Sequence, residues 1–133
     1  MEIYIGTKIV KAEPQICLSD THKSKVGDPG YKVEYENGYI SWSPKDVFIN
    51  AYRKIELMPF GIALEAMRKG HKVTRKGWNG GGMHLEAQIP DKQSKMTYPY
   101  LFITVPGCEE GVRRLPWQPA QVDLFSEDWQ IKE

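Results

Sequence analysis

The sequence predicts an α+β fold: a helix followed by an antiparallel β-sheet meander, preceded by an N-terminal β-hairpin plus helix extension. Three patterns predict it. Tyr31-Lys32-Val33-Glu34-Tyr35 and Tyr39-Ile40-Ser41-Trp42 flank Asn37-Gly38, a dipeptide suited to a tight type I′ hairpin turn. Phe60, Ala63, Leu64 and Met67 fall at i, i+3, i+4 and i+7, which places them on one buried helix face. Beyond that helix, runs at about 71–76, 83–89, 98–105, 111–117 and 127–132 read as strands joined by Gly- and Pro-rich turns.

Taken in order, residues 2–12 are expected to be extended, because Ile3, Ile5, Ile9 and Val10 are β-branched. Residues 19–30 are polar and turn-rich and read as an exposed loop. After the hairpin, Ser43 is an expected N-cap, Pro44 suits the first helical position, and Asp46 completes a capping-box-like pattern. Val47, Phe48, Ala51, Tyr52 and Ile55 supply that helix's apolar stripe. The second helix is expected from about Phe60 to Lys69, with Gly70 just past its end and Arg68 and Lys69 in its last turn. This divides the chain into an extension, 1–56, and a helix-plus-sheet domain, 57–133. One helix covers only one face of a five-stranded sheet, and the other face needs the extension, a second subunit or both; a homo-oligomer, dimer or tetramer, is expected on these grounds.

Composition narrows the function classes. The 133 residues are 41% hydrophobic and 26% charged, which suits one soluble domain with an appendage. No run of about 18 apolar residues occurs, so no membrane partner is expected. The start Met1-Glu2-Ile3-Tyr4 lacks a secretory pattern, and Cys17 and Cys108 make no disulfide framework; a cytoplasmic location follows. A net charge of +1 argues against DNA or RNA polymers, which need clustered Lys and Arg, but leaves room for a small anion.

Two turn clusters carry the ligand chemistry. The first is Arg75-Lys76-Gly77-Trp78-Asn79-Gly80-Gly81-Gly82-Met83; the second is Leu115-Pro116-Trp117-Gln118-Pro119-Ala120-Gln121-Val122-Asp123-Leu124. Trp78 and Trp117 are either packed corner aromatics or stacking platforms for a base. Asn79 and Gln121 can read a base or ribose edge, and Asp123 can accept from a hydroxyl or an amine. The glycines from Gly80 onward are either a flexible hairpin tip or a nest of N–H groups for phosphate, with Arg75 and Lys76 adding charge. Arg113 and Arg114 can neutralise phosphate or simply face solvent. Trp42 and Trp129 lie inside strands and are expected in the core. Catalysis finds no support: His22, His71 and His84 form no nucleophile or metal spacing, and two acids beside Cys108 discourage a thiolate. No enzyme, metal or cofactor is expected.

Phe60-Gly61-Ile62-Ala63-Leu64-Glu65-Ala66-Met67-Arg68-Lys69-Gly70 followed by Lys72-Val73-Thr74-Arg75-Lys76-Gly77-Trp78-Asn79-Gly80 resembles the opening of a phage family. Pro99-Tyr100, Pro116 to Leu124 and Glu127-Asp128-Trp129 resemble its close. That family is the second type of Thoeris anti-defence protein, and the resemblance covers about 58–133. Tyr4-Ile5-Gly6-Thr7-Lys8 and Ile40-Ser41-Trp42-Ser43-Pro44 resemble a separate phage-protein segment of unknown function. The resemblance implies a sponge in the infected bacterial host. It would bind a cyclic ADP-ribose isomer made by a TIR-domain immune enzyme, and in some members cyclic oligonucleotides of the cGAS-like pathway, without cleaving them. It also implies homo-oligomers with pockets between subunits, drawing here on Phe60, Trp78, Asn79, Gly80, Arg113, Trp117, Gln121 and Asp123. The alternatives are an enzyme that hydrolyses such a signal and a phage structural or protein-interaction module. Pro59, Ala120 and Val122 depart from the family pattern, the first replacing a small polar helix cap and the others Ser and Thr; the Pro106–Gly111 turn is also unusual.

Overall fold

The computed structural model describes residues 1–78, 81–108 and 111–132. The expectations for Asn79 and Gly80 as ligand contacts, and for the two acids beside Cys108, Glu109 and Glu110, lie outside those residues. The chain forms two compact units, Met1–Arg53 and Lys54–Glu133. The architecture is α+β, with antiparallel sheets of three and five strands.

In the first unit, β1 (Lys11–Pro14), β2 (Gly30–Glu34) and β3 (Ile40–Pro44) pair in that order and lead into α1 (Lys45–Ala51). Val33, central on β2, is buried. Tyr31, Phe48 and Tyr52 stack in sequence, with ring centroids 4.2 and 5.0 Å apart, so α1 is attached to the sheet mainly through aromatic faces. The loop between β1 and β2 closes on itself: the Cys17 N–H donates to Asp28 O at 2.8 Å, and Asp20 Oδ1 accepts from the Val26 N–H at 2.8 Å.

Three local expectations are corrected here. Residues 2–10 form no strand, and Ile3 and Ile5 are fully exposed. The reason is register: Lys11 already pairs with Glu34, the last residue of β2, so nothing remains for the preceding residues to pair with. The hairpin turn is not type I′. Tyr35 N–H donates to Tyr39 O, Gly38 N–H donates to Tyr35 O, and only Gly38 has positive φ, at +85°. That is a three-residue loop with glycine at the left-handed position, which carries the same Asn-Gly signature. Ser43 does not cap α1, because β3 continues through Pro44 to pair with Gly30; Pro44 is the N-cap, without a side-chain hydrogen bond.

The second unit holds α2 (Phe60–Arg68), β4 (Lys72–Arg75), β5 (His84–Gln88), β6 (Tyr100–Cys108), β7 (Gly111–Pro116), α3 (Gln121–Phe125) and β8 (Trp129–Lys132). Strands β4 to β7 form the expected meander, and β8 returns to pair with β4, giving the order β7-β6-β5-β4-β8. Strand β6 runs through Cys108, further than the expected end near residue 105, with a register shift between Val105 and Cys108.

Pairing places Leu115, Ile103, Leu85, Val73 and Ile131 in one row across all five strands. Helix α2 packs over β4, β5 and β8, so Leu85 and Val73 are sealed while Leu115, at the β7 end of the row, is exposed. Met58, Ala63, Ala66, Met67 and Trp129 complete the core. Full burial of each large aliphatic side chain there contributes about 1.5–3 kcal/mol. The C-terminus of α2 is a Schellman closure: Gly70 N–H donates to Met67 O at 3.0 Å, and His71 N–H to Ala66 O at 3.1 Å. Gly70 reaches it at φ +92°.

Helix α3 was not expected. Five residues are too few to carry a helical period, and Ala120 is an unpromising N-cap. The available signal was Asp123 three residues on, whose Oδ2 accepts from the Ala120 N–H at 2.8 Å. That is the acidic half of a capping box.

The two helix-associated glycines separate conformational from packing effects. Gly70→Ala forces an L-residue into positive φ and is expected to lower stability by about 1 kcal/mol. A Cβ at Gly61, inside α2, meets open space, and Gly61→Ala is expected to raise stability by about 0.4–1 kcal/mol. Urea titrations followed by tryptophan fluorescence test both signs.

Candidate functional site

Trp129, the first residue of β8, has no exposed surface, and its indole N–H donates to Asp123 O at 2.9 Å. Three rings surround it: Phe60 from the start of α2, Trp78 from the turn after β4, and Trp117 from the segment after β7. Their centroids lie 5.4, 5.4 and 6.0 Å from that of Trp129. Phe60 and Trp78 also approach Trp117, at 6.1 and 6.2 Å. Interplanar angles between 43° and 82° make these tilted and edge-on contacts, the arrangement the ring quadrupoles favour. The two tryptophan clusters of the sequence therefore meet on one aromatic foundation. Phe60, Trp78 and Trp117 remain half-buried, so each is both a packing residue and a partly open surface.

Beside this foundation lies an ion network centred on Arg75, the last residue of β4. Its Nη1 donates to Asp123 Oδ1 at 2.9 Å; Nε and Nη2 donate to the two oxygens of Asp128 at 2.9 and 3.4 Å. Asp128 Oδ2 also accepts from the Gly77 N–H at 3.0 Å. The guanidinium sits 6.0 Å from the Trp129 ring centroid. The Asp128 hydrogen bond, followed by that from Asp123, holds Arg75 firmly protonated against the opposing effect of burial. In return, the Arg75 hydrogen bond first, and then the Gly77 N–H, keeps the Asp128 carboxyl below its ordinary range, outweighing its partial desolvation.

This geometry gives two of the expected ligand groups partners within the fold. Asp123 is buried, with Oδ1 on Arg75 and Oδ2 on the Ala120 N–H, so its carboxylate serves the fold directly. Arg75, expected to add positive charge beside the glycine run, is already matched by two carboxylates. Gln121 and Arg113 differ: both are exposed, Gln121 as the first residue of α3 and Arg113 on β7 opposite Val105. Arg113 shares a sheet face with Leu115, two residues away. Asp128 and the bridging role of Arg75 were missed in the sequence. Their side chains meet across 53 residues, and only the adjoining Glu127-Asp128-Trp129 hinted at a function for that segment.

The expected cap position at Pro59 is the N-cap of α2 and has no side-chain cap bond. Ala120 is likewise the N-cap of α3. A Ser at position 120 therefore has a helix-capping role open to it, which removes the need to read its hydroxyl as a ligand contact.

A family model described as Thoeris anti-defense 2-like domain matches residues 58–132. The protein Thoeris anti-defense 2 of Bacillus phage SP01 is 31% identical over 85 residues, an alignment spanning 56% of this chain and 93% of that protein. The family match begins at Met58, which bridges to Trp129, and encloses the whole aromatic cluster and the Arg75 network. Residues 1–57 fall outside it.

The network makes stability depend on acid. The folded Asp128 titrates below its unfolded value, so its contribution is complete above that unfolded value and disappears as pH falls through the folded one. Thermal unfolding by circular dichroism is expected to show stability dropping below about pH 4. Asp128→Asn is expected to be less stable than the parent at neutral pH and to show a smaller acid loss. Parallel pH profiles for the two proteins contradict this account.

Proposed function

The chain belongs to the Thoeris anti-defense 2-like family, and on that premise we propose that it is a phage anti-defence protein that binds and sequesters a cyclic nucleotide immune signal. The signal is a cyclic ADP-ribose isomer of the Thoeris type, with cyclic oligonucleotides of the cGAS-like pathway as further candidates. Capture without cleavage denies the signal to its effector.

The observation that carries the reading is the pairing of two partly open tryptophans, Trp78 and Trp117, on a sealed third, Trp129. Rings fixed from beneath are preorganised surfaces for a base, and little side-chain entropy is lost when one binds. Stacking contributes about 1–3 kcal/mol per base, so the single adenine of a cyclic ADP-ribose isomer gains about 1–3 kcal/mol from these rings. Nanomolar capture needs roughly −12 kcal/mol. The remainder falls to polar groups, and with Arg75 neutralised, Arg113 is the proposed contact for pyrophosphate, with Asn79, Gly80 and Gln121 for ribose, base or phosphate. Phe60 completes the apolar wall. Asp123 holds α3 and is the further proposed polar contact to the ligand.

Holding, not hydrolysis, is the proposed role because Asp123 and Asp128 are both bound to Arg75, which leaves neither poised for proton transfer. A homo-oligomer, dimer or tetramer, is proposed because Val112 and Leu115 lie exposed on β7, outside the cover of α2. Action is proposed in the host cytoplasm; among the described residues no helix is long and apolar enough to cross a membrane.

Trp78→Ala and Trp117→Ala are each expected to weaken binding of a cyclic ADP-ribose isomer by about 1–3 kcal/mol. Each also removes a neighbour of Trp129, so folding is checked first by circular dichroism, and Trp→Phe variants are measured alongside. Undiminished capture by both folded alanine variants sinks the assignment.

A further inference from the structure

We infer that Arg75 is a positioning residue for ligand capture: by joining Asp123 to Asp128 it fixes Trp78 and the start of α3 relative to each other. The inference rests on the binding role proposed above and assigns Arg75 a function within it.

Three segments that are distant in sequence end at this side chain. The turn after β4 is held because Asp128 Oδ2 accepts from the Gly77 N–H at 3.0 Å, Asp128 O accepts from the Lys76 N–H at 3.1 Å, and Arg75 O accepts from the Trp78 N–H at 3.2 Å. Trp78 follows directly on that turn. Helix α3 is held because Asp123 receives Arg75 Nη1 on one oxygen and the Ala120 N–H on the other. Gln121 lies between those two anchor residues. The start of β8 is held by the two-pronged contact of Arg75 with Asp128, and the Trp129 indole returns to Asp123 O.

Besides Arg75, α3 is tied by the Trp129 indole and the turn by Asp128, but among the described residues it is the Arg75 side chain that links the Asp123 and Asp128 carboxylates to each other. Helix α3 has five residues, and its N-cap offers no side-chain acceptor. Only a planar guanidinium can serve Asp123 from one nitrogen while facing both oxygens of Asp128 with two others; an ammonium cannot span both carboxylates in this geometry. The side chains of Arg75 and Asp123 are 13% and 12% exposed, so the link is shielded from the screening that weakens surface pairs. Breaking it leaves a half-buried carboxylate without its partner and lets the turn and α3 move independently.

The test compares the full chain with Arg75→Lys, Trp78→Ala and the double variant. Affinity is measured by calorimetry against the cyclic ADP-ribose isomer produced by a TIR-domain enzyme. Arg75→Lys is expected to raise Kd on the order of tenfold, through faster dissociation, as is usual when a residue orienting a contact group is lost. In the Trp78→Ala background most of that effect is expected to vanish, because Arg75 acts through the ring already removed. Independent, multiplying losses overturn the inference and leave Arg75 as a fold residue only. A ligand-free readout runs in parallel. In ¹⁵N spectra of the unbound protein, Arg75→Lys is expected to shift and broaden the Trp78 indole resonance while that of Trp42 is unchanged. An unperturbed Trp78 resonance overturns the inference whether or not ligand binds. Absence of binding by the parent chain, with Trp78 perturbed as expected, instead counts against the binding role.

Discussion

Burial of Trp129 is the constraint on which the second unit depends. A fully enclosed indole must satisfy its N–H, and here it does so on Asp123 O. That bond, with the Arg75 contact to the Asp123 carboxylate, ties α3 to the start of β8, although α3 is too short to persist by its own hydrogen bonds. Enclosing the ring also requires Phe60, Trp78 and Trp117 from three other segments. Packing and the proposed site therefore coincide: the residues that seal the core are the ones whose outer faces form the proposed ligand surface.

The ion network follows from the same burial. Asp123 carries its carboxylate into a buried position because its carbonyl is needed by Trp129, and an unpaired carboxylate there is costly. Arg75 resolves that cost and joins Asp128 to the same fork. The price of the arrangement is that Arg75 and both acids are unavailable for other chemistry. The proposed reading accordingly places recognition on the aromatic faces and the remaining exposed polar groups, with Arg113 as the proposed phosphate contact.

Much of the fold was legible in local patterns. Helix α2 announced itself through the spacing of Phe60, Ala63, Leu64 and Met67, and its end through Gly70, whose positive φ closes the Schellman motif. The five strands of the second unit followed from short runs set between Gly- and Pro-rich turns. What failed depended on partners. The apolar run from Ile3 to Val10 reads as a strand, yet β2 ends before it can be paired. Ser43 reads as a cap, yet the ladder to Gly30 claims its backbone. Helix α3 exists because Trp129 and Arg75 hold Asp123, and no window of local sequence contains all three. For the site, Trp78 and Trp117 were visible as aromatic turns, and the structure brings them together. The fate of Asp123 was not visible, because a carboxylate free to bind and one held by an arginine 48 residues away look alike in sequence.

The central claim is that this aromatic foundation holds a cyclic nucleotide without breaking it. Its most direct measurement is to incubate the full chain with a cyclic ADP-ribose isomer, isolate the protein with whatever remains bound, denature it, and identify the released molecule by mass spectrometry. The account predicts near-stoichiometric recovery of intact cyclic compound. A linear product, or no retained nucleotide across cyclic ADP-ribose isomers and cyclic di- and trinucleotides, contradicts it.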